Sequence, residues 1–199
     1  GGVVSVNDRP GVSQIYANVN IDADEILFTE FKKLVEPKLT KAPLNNITSK
    51  MALIDGSFPK FSPNGQRILF IKYKYDDQYQ RMTKHVGDVD IFPSELWVMN
   101  ADMTNKQLLW PKSENDFVEI RGADWHKDGR HIVFSCCAQP DKNDPRPNFD
   151  ICLITDKGTD FKRLTINKSC DDFPVWSEEG IYVYFRSNRG VAWNIWQIE

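Results

Sequence analysis

Phe58-Pro59-Lys60-Phe61-Ser62-Pro63-Asn64-Gly65-Gln66-Arg67-Ile68-Leu69-Phe70 decides the fold of this chain, because the sequence returns to it twice. Gly122-Ala123-Asp124-Trp125-His126-Lys127-Asp128-Gly129-Arg130-His131-Ile132-Val133-Phe134 has the same plan. So does Phe173-Pro174-Val175-Trp176-Ser177-Glu178-Glu179-Gly180-Ile181-Tyr182-Val183-Tyr184-Phe185. Each copy places an aromatic before a short polar stretch that ends in Gly, and then a run of β-formers. A weaker fourth copy lies upstream, Val19 to Phe28, with Ala23 where Gly65 stands. The aligned turns Ala23, Gly65, Gly129 and Gly180 are 42, 64 and 51 residues apart. The shortest interval matches a four-stranded propeller blade of about 40–45 residues.

The expectation is therefore an all-β chain, a β-propeller of four-stranded antiparallel blades with about four units. Their approximate bounds are 12–54, 55–111, 119–165 and 171–199, the last one strand short. Ala23 to Val35 is the one stretch whose periodicity competes as a helix. The chemistry of the phrase supports blades. Asn64-Gly65 and Asp128-Gly129 suit a tight reversal with positive φ. The β-branched and aromatic residues that follow offer one face to each flanking blade. The aromatic that ends the first strand (Phe61, Trp125, Trp176) fills the wedge between sheets. Asp55, Asp124 and Asp172 are expected to tie backbone amides between successive blades.

Composition narrows function more than it defines it. The 199 residues carry a net charge of −3 and 41% hydrophobic residues. That balance speaks against nucleic acid as main ligand, since phosphate binding needs clustered Lys and Arg. No apolar run approaches a membrane span, and Gly1-Gly2-Val3-Val4 does not resemble a signal peptide. Cys136, Cys137, Cys152 and Cys170 lack paired metal spacing. Adjacent on a strand, Cys136 and Cys137 should face opposite ways, and Cys152, on the next strand, could lie close to one of them. Buried free thiols are the preferred reading, with a disulfide the alternative for an exported protein.

The phrase also carries a resemblance. Asp171-Asp172-Phe173-Pro174-Val175-Trp176-Ser177, the Phe58 to Gly65 stretch and the closing Arg163-Leu164-Thr165 resemble the TolB-type β-propeller repeat. So do Leu96 to Asp102 and Arg186-Ser187-Asn188-Arg189-Gly190. The resemblance covers about Gly56 to Glu199 well and Ile15 to Ile54 loosely. It implies a scaffold in the cell envelope, periplasmic or extracellular, that binds a protein or peptide. Propellers of this kind usually have six to eight blades. A fragment of a longer propeller, a compact four-bladed ring completed by Val3 to Val6, and self-associating partial rings therefore stay open, the fragment ranking first.

The phrase is interrupted at Tyr73 to Ser94 and Ala138 to Asn148, and loops on a rigid scaffold are where recognition concentrates. Tyr73, Tyr75, Tyr79, Arg81 and His85 on the first insertion and Arg146, Asn148 and Phe149 on the second are the expected binding residues. Both insertions join second to third strands and so leave the same face. His85, His126 and His131 make a weak metal case, and the Asp141, Asn143, Asp144, Asn148, Asp150 loop lacks a calcium-loop spacing. No metal or cofactor is expected, and no nucleophile elbow or phosphate loop is present. The alternative function is the propeller portion of an enzyme, a prolyl-oligopeptidase-type peptidase or a polysaccharide lyase.

Overall fold

In the computed structural model the described residues are 12–32, 35–76, 81–86, 89–112, 119–137, 148–190 and 192–199, with 12–15, 84–86 and 89 described by their backbone only. They form four antiparallel sheets and a small hairpin. Blade 1 holds β1 (Val12–Asn20), β2 (Glu25–Lys32), β3 (Val35–Pro43) and β4 (Met51–Asp55) in sequential order. The competing helix is corrected here: Glu25–Lys32 pairs on both sides as β2, because its apolar residues occupy both faces of a buried strand.

Blade 2 runs β5 (Ser57–Phe61), β6 (Arg67–Tyr73), β9 (Ser94–Asn100), β10 (Gln107–Trp110). The first insertion forms its own hairpin from β7 (Lys84–Val86) and β8 (Val89–Ile91). Blade 3 runs β11 (Ile120–Trp125), β12 (His131–Cys137), β13 (Phe149–Thr155), β14 (Lys162–Arg163). Blade 4 has three strands, β15 (Asp171–Trp176), β16 (Val183–Ser187) and β17 (Asn194–Ile198).

The blades pack through their first strands: β5 lies against blade 1, β11 against β5 and β6, and β15 against β11, β12 and β13. The core consequently lies between sheets, and strand alternation assigns each side chain to a neighbour. Ile68 and Phe70 point to Leu27 and Leu39 of blade 1, whereas Leu69 and Ile71 point to Trp125, Ile132 and Phe134 of blade 3. Val133 and Ile151 face Val183 and Phe185 of blade 4. Cys136 and Cys152 share the blade 2–3 core with their sulfurs 3.2 Å apart, and Cys137 lies in a separate cluster. All four cysteines are free thiols.

The turns follow the sequence reading with one adjustment. Gly65, Gly129 and Gly180 have φ of 69°, 66° and 70°. In blade 1 the left-handed conformation passes to Asp24 (φ 52°), one residue beyond Ala23. Aspartate tolerates that region better than alanine does.

The expected amide ties hold at one of three places. Asp124 Oδ2 accepts the Trp176 N–H at 3.0 Å, joining blades 3 and 4. Asp55 instead pairs with Lys38, and Asp172 is held by both Nε and Nη2 of Arg186 at 2.7 and 2.8 Å. Asp55 thus meets a cation from within its own sheet, and Asp172 meets one there and, at 3.8 Å, Arg121 of blade 3 as well. Between blades 1 and 2 the tie is made by Asn18, whose Oδ1 accepts the Phe61 N–H at 2.8 Å.

Candidate functional site

The first strand of every blade carries the same irregularity. Pairing with the second strand breaks between Ile15 and Asn18, Ser57 and Lys60, Ile120 and Ala123, and Asp172 and Val175. Within each break one residue is left-handed: Tyr16 (φ 59°), Phe58 (φ 55°), Gly122 (φ 77°) and Phe173 (φ 52°). These four occupy one position of the repeat. A bulge of this kind re-aims a side chain, and a non-glycine residue held there costs on the order of 1–2 kcal/mol. Three bulky aromatics carry that cost, and the fourth position is glycine for a spatial reason. A Cβ on Gly122 would stand 3.1 Å from Phe173 Cα.

The bulges bring the aromatics together across blades. Tyr16 stacks on Phe58 with centroids 3.7 Å apart, and Phe58 and Phe173 meet at 6.2 Å. Between them lies a cleft of about 260 Å³, walled also by Ala17, Pro59, Ala123, Pro174 and Val175. Tyr16, Phe173 and Val175 remain 42%, 39% and 43% exposed. That volume suits one large side chain, since pockets for drug-sized ligands begin at about 300 Å³. Tyr16 and Lys60 are the titratable residues of its lining. Lys60 Nζ is 3.6 Å from Asp124 Oδ1, and burial raises the Asp124 pKa despite Lys60 and the Trp176 amide. The cleft thus offers apolar walls, an aromatic stack and one ammonium.

The insertion residues are placed differently. Tyr73 is buried in the blade 2–3 core; desolvation pushes its phenol up, and its hydroxyl donates to the Ile120 carbonyl at 3.4 Å. Arg81 lies over the Tyr73 ring at 4.1 Å and bridges backbone with Tyr75, whose phenol burial also raises. Asn148 donates to the Asn167 carbonyl at 2.6 Å, and Phe149 is buried under Arg121 at 4.0 Å. His85 is on β7 with Asp90 as its backbone partner. Tyr79 and Arg146 lie outside the described residues, as do Asp141, Asn143 and Asp144. Asp150 is committed to Arg163 and Thr165. Tyr73, Tyr75 and Arg81 therefore come together, and Asn148 and Phe149 are held at the start of β13.

Sequence reasoning treated the phrase as scaffold and missed Tyr16, Phe58 and Phe173. The available signal was an aromatic three residues before Phe61 and Trp176, at a fixed repeat position. The two insertions join β6 to β9 and β12 to β13, as expected. Ser57 pairs with Ile71 and Ile120 with Cys136, so Phe58 and Gly122 lie near the sheet ends from which the insertions leave.

No protein-family model matches the sequence, and no curated protein matches it. Solved structures do. TolB from Acinetobacter baumannii superposes with a TM-score of 0.64 at 17% identity, over 94% of this chain and 41% of that one. The putative TolB from Agrobacterium tumefaciens gives 0.65 at 19% identity, over 98% and 60%. This chain has the TolB-type β-propeller fold. It spans roughly half the length of those two TolB chains. The TolB-type architecture is shared with enzymes: a prolyl endopeptidase structure matches with a TM-score of 0.61 at 11% identity, over 95% of this chain and 27% of that one. Among the described residues no helix is long and apolar enough to cross a membrane.

Proposed function

We propose that this chain is a non-catalytic propeller that recognises a protein or peptide partner, with the inner cleft taking one apolar side chain of it. The observation that carries this reading is the strained, repeated placement of Tyr16, Phe58 and Phe173 on an exposed cleft. Backbone strain concentrates at functional positions, and exposed aromatics are the commonest anchors of recognition. Lys60 supplies a cation for a carbonyl or carboxylate beside that side chain. Tyr75, Arg81 and His85 of the first insertion are proposed as further contacts, beside Tyr79 and Arg146, which lie outside the described residues. The likeness to TolB supports a periplasmic or extracellular setting.

Ten-residue peptides bearing Phe, Leu or Ser at one central position test the reading by calorimetry. Burying a Phe or Leu side chain contributes about 1.5–3 kcal/mol, so those peptides should bind about 10- to 150-fold more tightly than the Ser peptide. Phe173→Ala should erase the preference. Equal affinity for all three peptides, or an unchanged preference in Phe173→Ala, overturns it.

The second reading, the propeller portion of a prolyl-oligopeptidase-type peptidase, is supported by the prolyl endopeptidase match. In that case catalysis belongs to an α/β-hydrolase part of the full gene product, and sequencing the complete reading frame decides the matter. A polysaccharide-lyase site is less well supported, because among the described residues the cleft gathers Lys60 and Tyr16 and no histidine. Self-association is a further proposal: Ile195, Trp193 and Trp196 on and beside β17 are 72%, 46% and 39% exposed.

A further inference from the structure

The turn between β11 and β12 gathers His126, Asp128 and His131, with one ligand atom of each within 4.8 Å of the others. The sequence made these histidines a weak metal case, with solvated or hydrogen-bonded surface histidine preferred. Their hydrogen bonding argues otherwise. His126 Nε2 faces the Gly180 carbonyl at 3.1 Å. A carbonyl only accepts, so Nε2 carries the ring proton, and in a neutral ring Nδ1 is a bare lone pair. Consistent with this, Nδ1 accepts the Asp128 N–H at 3.2 Å. Yet the same Nδ1 lies 3.0 Å from Asp128 Oδ2, another acceptor. That oxygen also faces His131 Nδ1 at 2.6 Å. The proton of His131 Nδ1 satisfies the 2.6 Å contact, whereas the 3.0 Å approach of a bare His126 Nδ1 to the carboxylate is repulsive unless a cation, metal or proton, lies between them.

We propose that His126 Nδ1, Asp128 Oδ2 and His131 Nδ1 form a site for a divalent transition metal of zinc type. Two imidazoles and a carboxylate suit zinc and its neighbours, whereas calcium and magnesium prefer all-oxygen sets. Around a tetrahedral zinc with ligands at about 2.0–2.2 Å, donor atoms stand about 3.3 Å apart. The 3.0 and 2.6 Å separations would lengthen to reach that, the His126–His131 separation lies within 4.8 Å, and the metal would take over the His126 Nδ1 lone pair from the Asp128 amide. The outer contacts match what metal-bound side chains require. Gly180 fixes the tautomer of His126, and the Arg130 and His131 amides donate to Asp128 Oδ1 at 2.8 and 3.0 Å. All three side chains are partly exposed, which leaves an entry path and a fourth position for water. Because Gly180 belongs to the next blade, a bound metal would stiffen the junction of blades 3 and 4.

Chelator-stripped protein titrated with zinc chloride in a calorimeter should bind one equivalent and gain thermal stability. Calcium and magnesium chloride should do neither. Asp128→Asn and His131→Ala should each weaken zinc at least tenfold while keeping the wild-type circular dichroism spectrum. Nitrogen-15 NMR of the wild type covers the case in which a variant fails to fold. With three histidines in the chain, zinc should shift two Nδ1 resonances and leave the Nε2–H of His126 in place. No saturable zinc binding, or binding that leaves both Nδ1 signals unmoved, overturns the proposal. So does a doubly protonated His126 at neutral pH that zinc does not displace, because the cation is then a proton.

Discussion

Asp124→Ala tests the physical account of how blades hold together. Asp124 Oδ2 accepts the Trp176 amide across the blade 3–4 junction at 3.0 Å, and its side chain is 19% exposed. Removing the acceptor leaves that amide without its side-chain partner, and an unsatisfied buried donor costs about 1–3 kcal/mol. The Lys60 pair, at 3.6 Å and with a 34% exposed lysine, adds less than about 1 kcal/mol. Against this, burial raises the Asp124 pKa, so removing the charge recovers part of its desolvation. The net expectation is a loss of about 1–3 kcal/mol in urea unfolding. Asp124→Asn keeps an oxygen for the amide and has no charge to bury, so it should stay within about 1 kcal/mol of the wild type at pH 7.

The pH dependence has a fixed sign. A carboxyl whose folded pKa is raised contributes stability fully below its unfolded pKa of about 3.9 and loses it as pH climbs through the folded value. Asp124→Asn should therefore gain on the wild type as pH rises from about 4 toward neutrality. If Asp124→Asn is as damaged as Asp124→Ala, the amide tie is not what the carboxylate contributes. If Asp124→Ala matches the wild type, the tie itself carries no energy.

Three further substitutions separate other terms. Gly122→Ala and Gly129→Ala share a left-handed backbone, but a Cβ at 122 would stand 3.1 Å from Phe173 Cα while one at 129 meets nothing within 4 Å. Thermal or urea unfolding should show a loss of about 1–2 kcal/mol at 129 and about 2–4 at 122; equal losses would mean that Phe173 yields freely. Burial of Asp150, 1% exposed, outweighs its Arg163 partner and pushes the carboxyl up to about 6. Its contribution is complete below about pH 4 and lost as pH passes 6, a swing on the order of 3 kcal/mol. Asp150→Asn should flatten the stability profile between those values, and an unchanged profile would show that the carboxylate is not the group responsible.

Much of the fold was legible because blades are local objects. In every blade a short turn joins the first strand to the second, and in blades 2 to 4 Gly65, Gly129 and Gly180 announce it through a backbone requirement that few residues meet. Strand alternation then assigned Cys136 and Cys137 to opposite cores before any neighbour was known. The degenerate first unit was harder. Without a turn glycine its β2 strand shared a helical periodicity, and only pairing with β1 and β3 resolves it. Tyr73 and Phe149 looked like loop aromatics because sequence marks an insertion but not the core beneath it.

By itself, then, the sequence determined the repeat, the strand order within each blade and the place of the insertions, since these depend on contacts between residues close along the chain. Tertiary structure alone decided what the repeated phrase does between blades. The left-handed aromatics Tyr16, Phe58 and Phe173 are separated by 42 and 115 residues along the chain and meet because the first strands of successive blades converge. His126 finds the Gly180 carbonyl 54 residues away for the same reason. Local propensity records neither meeting, because convergence of the strands arises from packing whole sheets face to face.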